Sequence, residues 1–141
     1  MVVNDNKPGP GESEPIVHQR ERLPHTRPGK VHHLEIAVQG EEDPVDIYIT
    51  IGFFGDGRIG ELFIEMAKEG STASGLCDAY SRSVSLLLQS GWRVKDLAQK
   101  FKFMRFEPNG PVVNDDNEEI RITSSVMDYT WKWLEKKYPE G

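Results

Sequence analysis

Two hydrophobic periods divide the chain. From Leu34 to Met66 apolar residues recur at every second position, and after Gly70 they recur at every third or fourth. Leu34, Ile36 and Val38 alternate with His33, Glu35 and Ala37. Val45, Ile47, Ile49 and Ile51 alternate with Asp46, Tyr48 and Thr50. In the stretch 59–66, Leu62, Ile64 and Met66 share one side and Glu61, Phe63 and Glu65 the other. Such alternation predicts half-buried strands. The links at 39–44 and 55–57 are short and polar, which favours an antiparallel meander over crossover connections.

The longer period begins at Glu69-Gly70-Ser71-Thr72 and ends at Ser90-Gly91. Leu76, Tyr80, Val84 and Leu87 predict one face of a helix, and Cys77, Leu86 and Leu88 widen it. Ser71 or Thr72 is the expected cap, and Gly91 the expected stop. Val94, Leu97, Ala98 and Phe101 predict a short second helix, and Pro108 bars helix past Glu107. A last amphipathic helix is expected from Ile122 to Lys137, with Ile122, Val126, Tyr129 and Trp133 in one stripe and Met127, Trp131, Leu134 and Tyr138 beside it. The predicted fold is α+β: an antiparallel sheet of three or more strands packed on the central 70–91 helix, with the C-terminal helix alongside. Tyr129, Trp131, Trp133 and the leucines offer more apolar surface than one small sheet face covers, which predicts a homo-oligomer.

Composition narrows the class. The chain has 141 residues, 37% hydrophobic and 28% charged, and a net charge of −6. That length suits one domain with a real core. An acidic balance argues against binding duplex nucleic acid. One cysteine, Cys77, excludes an intramolecular disulfide and a cysteine-rich metal centre and fits a reducing compartment, so a cytoplasmic protein is expected. No stretch has the roughly 20 apolar residues of a membrane span, and the start does not read as a secretory signal. Residues 1–19 are Pro-, Gly- and charge-rich and read as a disordered or extended leader, with one domain over 20–141. Within 19–33, Arg20, Arg22, Arg27 and Lys30 stand beside His25, His32 and His33. This basic arm reads either as solvated or as lying over an anionic ligand or a partner subunit. The 114–119 run is acidic without calcium-loop spacing and reads as a solvated loop.

Catalytic chemistry is not legible. Cys77 falls mid-helix on the apolar side, the histidines lack metal-ligand spacing, and no P-loop or GxGxxG occurs, so no catalytic group, metal or cofactor is expected. Binding is legible. The first turn of the central helix offers backbone N–H groups and the Ser71 and Thr72 hydroxyls to phosphate oxygens. Arg22 and Arg27 would reach it from the arm. Arg105, held between hydrophobic neighbours, would reach it across a cleft, and Phe53 or Phe106 would stack on a base. The expected ligand is a phosphorylated nucleotide, a cyclic dinucleotide included, with one subunit's arm over another's helix. The competing view is that Ser71 only caps the helix.

Six fragments in order carry a family likeness: Arg22-Leu23-Pro24-His25-Thr26-Arg27-Pro28-Gly29, Gly60-Glu61-Leu62-Phe63-Ile64, Lys68-Glu69-Gly70-Ser71-Thr72, Gly75-Leu76-Cys77-Asp78-Ala79, Ser83-Val84-Ser85-Leu86 and Met104-Arg105-Phe106-Glu107-Pro108. Over roughly residues 20–138 the chain resembles the TSCPD domain found near the C-terminus of adenosylcobalamin-dependent ribonucleotide reductases. The chain lacks those enzymes' radical-harbouring barrel, cofactor-binding region and cysteine pair, so the resemblance implies a fold and a nucleotide-linked context, not reductase activity. Two roles follow for a free-standing copy. One is a non-catalytic nucleotide binder, such as the phage sponges that sequester nucleotide immune signals. The other is an accessory or regulatory domain acting in trans with a ribonucleotide reductase subunit.

Overall fold

The structure is a computed structural model that describes residues 11, 19–67, 70–113 and 119–139. The expected leader at 1–19 and the acidic loop at 114–119 therefore lie almost wholly outside the described residues. Three long strands, β1 (Gly29–Ile36), β2 (Val45–Phe53) and β3 (Ile59–Met66), form the meander that the alternation predicts. Two short strands, β4 (Gly110–Val113) and β5 (Ile122–Thr123), extend it to five in the order β3-β2-β1-β4-β5, every pair antiparallel. The helices are α1 (Ser71–Gln89), α2 (Val94–Phe101) and α3 (Val126–Lys137). The fold is α+β, as the pattern predicts.

Register explains the core. Leu34 faces Ile47, Ile51 faces Leu62, and Ile49 lies between His32 and Ile64. These side chains share the inner face and are 1% exposed or less, His32 excepted. Burying each such Leu or Ile contributes roughly 1.5–3 kcal/mol. Trp133 of α3 closes this face by stacking on His32 at 4.4 Å, and Tyr129 Oη lies 2.7 Å from His32 Nε2. The outer face carries Val31, His33, Glu35, Asp46, Tyr48, Thr50, Phe63 and Glu65, and none of these is buried among the described residues.

Several expectations are corrected. The segment 29–33, read as arm, is strand: Gly29 faces Gly52 and His33 faces Tyr48. The buried side of α1 is Cys77, Ser81, Val84, Ser85 and Leu88, while Leu76 and Leu86 are 67% and 45% exposed. Gly70 is the N-cap and no side chain caps the helix, so neither Ser71 nor Thr72 has that role. At the other end Gly91 has φ +101°, and the N–H groups of Gly91 and Trp92 return to Leu88 and Leu87 carbonyls, as a glycine stop requires. Ile122 belongs to β5 rather than to α3, which starts four residues later behind the Ser125 cap. Tyr129, Trp131 and Trp133 are buried within one chain, 4% exposed or less. They therefore give no reason for an oligomer.

Candidate functional site

The arm is seated rather than loose. Glu21 N–H donates to the Gln89 carbonyl at the C-terminal end of α1 (2.9 Å), and Phe53 N–H donates to the Pro28 carbonyl (3.0 Å). Arg27 grips Glu61 with two bonds, Nη2 to Oε1 at 2.8 Å and Nε to Oε2, while Nη1 donates to the Pro24 carbonyl at 2.7 Å. The bonds to Glu61 hold the Arg27 guanidinium above its ordinary pKa, against the opposing pull of desolvation. Gly52 clears the space for this pair, because a Cβ there would overlap the Glu61 carboxylate. Arg27 thus fastens the arm to β3. Arg22 is exposed.

The first turn of α1 lies at the opposite end of the helix. A helix running from Ser71 to Gln89, rising 1.5 Å at each step, puts Ser71 about 27 Å from the Gln89 end where the arm docks. Ser71 and Thr72 are exposed. One chain therefore does not bring Arg22 or Arg27 to the Ser71-Thr72 turn; only a second copy's arm would reach it. Phe53 is 8% exposed and packs against Tyr138, ring centres 5.7 Å apart, so its ring is closed to a base. Phe106 is half-buried against the core, and its N–H donates to the Ser124 carbonyl at 3.1 Å.

Arg105 is exposed, and of its hydrophobic neighbours only Phe106 packs against the core, Phe103 and Met104 being 69% and 43% exposed. The loop is held from beneath by Asp128, a carboxylate with no solvent exposure on the first turn of α3. Its Oδ1 accepts from Phe103 N–H at 2.7 Å; its Oδ2 accepts from Ser124 N–H at 3.0 Å, Thr123 Oγ1 at 3.1 Å and Lys132 Nζ at 3.2 Å. Ser125 Oγ accepts from Asp128 N–H and donates to the Met104 carbonyl at 2.6 Å. This grip keeps Phe103 at φ +68°, a conformation that a bulky L-residue seldom adopts. Sequence reasoning missed Asp128. The only signal was its place three residues after the Ser125 cap.

The outer face of the sheet was also missed as a surface. Val31, Tyr48 and Phe63 are 67%, 40% and 41% exposed there, and His33 Nε2 lies 2.8 Å from Asp46 Oδ1. Among the described residues no helix is long and apolar enough to cross a membrane.

Residues 22–138 match the model of the TSCPD domain. The chain belongs to the TSCPD domain family. A vitamin B12-dependent ribonucleotide reductase of Rhodopirellula baltica is 42% identical over 130 residues, covering 91% of this chain but 12% of that protein. The one of Bradyrhizobium diazoefficiens is 35% identical over 123 residues, 87% of this chain and 9% of that protein. The one of Streptantibioticus cattleyicolor is 38% identical over 128 residues, 89% of this chain and 20% of that protein. This TSCPD chain therefore spans a fifth or less of each of these relatives. No solved structure matches it. The match takes in the arm from Arg22 and, among the described residues, every strand and helix.

Proposed function

We propose that this TSCPD chain is a non-catalytic accessory domain that works against the catalytic body of a vitamin B12-dependent ribonucleotide reductase. The observation that carries this reading is the 42% identity over 91% of the chain to one such reductase, of which it covers 12%. A part that small supplies a contact or regulatory surface rather than the reaction itself. The outer sheet face supports the reading, since clustered exposed apolar side chains such as Val31, Tyr48 and Phe63 mark contact surfaces. The test uses a vitamin B12-dependent reductase deprived of its own TSCPD domain. Adding this chain should give a stable complex in calorimetry and raise turnover. Absence of both binding and any change in turnover refutes the reading.

A second reading, a nucleotide-binding module including a sponge for cyclic nucleotide signals, draws on the first turn of α1. No side chain caps that turn, and its Ser71 and Thr72 hydroxyls face solvent, an arrangement suited to phosphate. Because the arm docks at the other end of α1, Arg22 would have to come from a second copy in a homo-oligomer. Binding of a mono-, di- or cyclic nucleotide to the chain alone, linked to self-association in sedimentation, separates this reading from the first.

A further inference from the structure

His33 and Glu35 are two residues apart on β1, so they project from the same face. The β1–β2 register sets Glu35 directly opposite Asp46 and His33 directly opposite Tyr48. One donor atom each from His33, Glu35 and Asp46 lies within 4.8 Å of the other two, and His33 Nε2 is already 2.8 Å from Asp46 Oδ1. Donors bound to one small dication at 2.0–2.2 Å sit about 3.3 Å apart. The three donors therefore have to close by up to about 1.5 Å to share one ion. The His33 ring is stacked on Tyr48 at 4.6 Å and 21°, which limits the planes open to it.

We propose that His33, Glu35 and Asp46 form a divalent transition-metal site on the outer face of the sheet. One imidazole nitrogen with two carboxylates suits an ion such as Zn²⁺, Fe²⁺ or Mn²⁺ better than Ca²⁺ or Mg²⁺, which prefer all-oxygen surroundings. His33 and Asp46 side chains are 38% and 37% exposed, so the remaining coordination positions open to water or to an incoming ligand. Three protein ligands with an open position is the arrangement of catalytic and ligand-binding zinc sites. The surroundings favour a cation. Asp46 also lines an open cavity of ≈ 620 Å³ together with Glu41, Glu42, Asp43 and Glu107, and among the described residues none that lines it is basic. A cleft lined by one sign of charge concentrates the opposite ion. Like charges directly opposite on paired strands repel, and an ion between Glu35 and Asp46 turns that repulsion into coordination.

The simpler alternative is an ion pair between His33 and Asp46 that holds no metal ion. The full chain, stripped with a chelator, is titrated with Zn²⁺ by calorimetry and with Co²⁺ by visible absorption. One ion per chain with micromolar affinity is expected, together with Co²⁺ ligand-field bands. His33→Ala, Glu35→Gln and Asp46→Asn should each weaken binding at least about tenfold. Asp78→Asn, an exposed carboxylate on α1 outside both the ligand set and the cavity, should leave the affinity unchanged. Circular dichroism and melting of each metal-free variant establish that it is folded. Absence of stoichiometric binding overturns the proposal, as does binding that folded His33→Ala and Glu35→Gln retain in full.

Discussion

Asp128 shows what one residue decides. Burial pushes its carboxyl pKa up, but the N–H groups of Ser124 and Phe103, the Lys132 ammonium and the Thr123 hydroxyl outweigh that and hold it below the usual carboxylate value. A depressed folded-state pKa means that the unfolded chain takes up the proton first. The stabilisation is therefore complete above the unfolded value of about 3.9 and is lost as pH falls through the folded value. Asp128→Asn should lower stability in urea unfolding at pH 7 by about 3 kcal/mol, the scale of losing charged hydrogen bonds at a buried site. The gap between wild type and variant should then shrink below pH 4. A gap constant down to pH 2 would contradict this account. The sequence singled out Arg105 in this region because its charge is visible in the string. The convergence of Phe103 and Ser124 N–H groups on a carboxylate 25 residues from Phe103 is not.

At the scale of elements, α1 is less an amphipathic helix on a sheet face than a cover for an edge. β3 is the terminal strand of the sheet, and exposed edges offer unpaired backbone groups. Ser85 Oγ accepts from Leu62 N–H at 2.9 Å and donates to the Leu62 carbonyl at 3.1 Å; Ser81 Oγ accepts from Ile64 N–H at 3.1 Å. Gln89 Nε2 donates to the Gly60 carbonyl at 2.9 Å. Small serines let the helix come close and stand in for a missing strand. The hydrophobic stripe therefore gave only part of the buried side: Cys77, Val84 and Leu88 are buried and Tyr80 and Leu87 pack on the core, but Ser81 and Ser85 face inward as well, while Leu76 and Leu86 are left outside. Ser85→Ala should cost about 1–3 kcal/mol by leaving the Leu62 groups buried without a partner. Exposed Ser83→Ala, whose hydroxyl bonds only to the Ala79 carbonyl of its own helix, should change stability far less. Equal costs in denaturant unfolding would count against the edge-cover role.

For the whole molecule, the arm is the part that changes meaning. Leu23 and the Phe54 ring meet over Gly60, where a Cβ would come within 2.6 Å of Leu23 Cδ2 and 2.7 Å of Phe54 Cε2. Gly60→Ala should therefore lower stability by about 1–3 kcal/mol, as overpacking does, and loosen the arm. Faster proteolysis within residues 19–28, with the melting transition still cooperative, is the expected signature. Unchanged cleavage would mean that the arm is held without this contact. The Arg27–Glu61 pair belongs to the same clamp, so Arg27→Ala should lower the melting temperature. A change that leaves the free protein untouched, as an arm arginine reserved for a ligand would give, is not expected.

By itself the sequence determined the three-strand meander, the α+β class, the helix stop at Gly91, the short helix over 94–101 and membership in the TSCPD family. Each of these is written in neighbouring residues: alternation, a glycine in a left-handed turn, or a run of fragments in fixed order. The tertiary structure alone decided that the arm sits at the C-terminal end of α1, that Phe53 and the α3 aromatics are interior, and that Asp128 supports the Arg105 loop. It also decided that His33, Glu35 and Asp46 meet on one face. These depend on register and on contacts between residues tens of positions apart. Shifting a strand by one residue would send every side chain to the other face, and the periodic pattern does not say which distant residue stands opposite. Hydrophobic pattern thus specified which sides are buried along the strands, while the pairing of polar groups, and with it every candidate site, was fixed only when the chain closed.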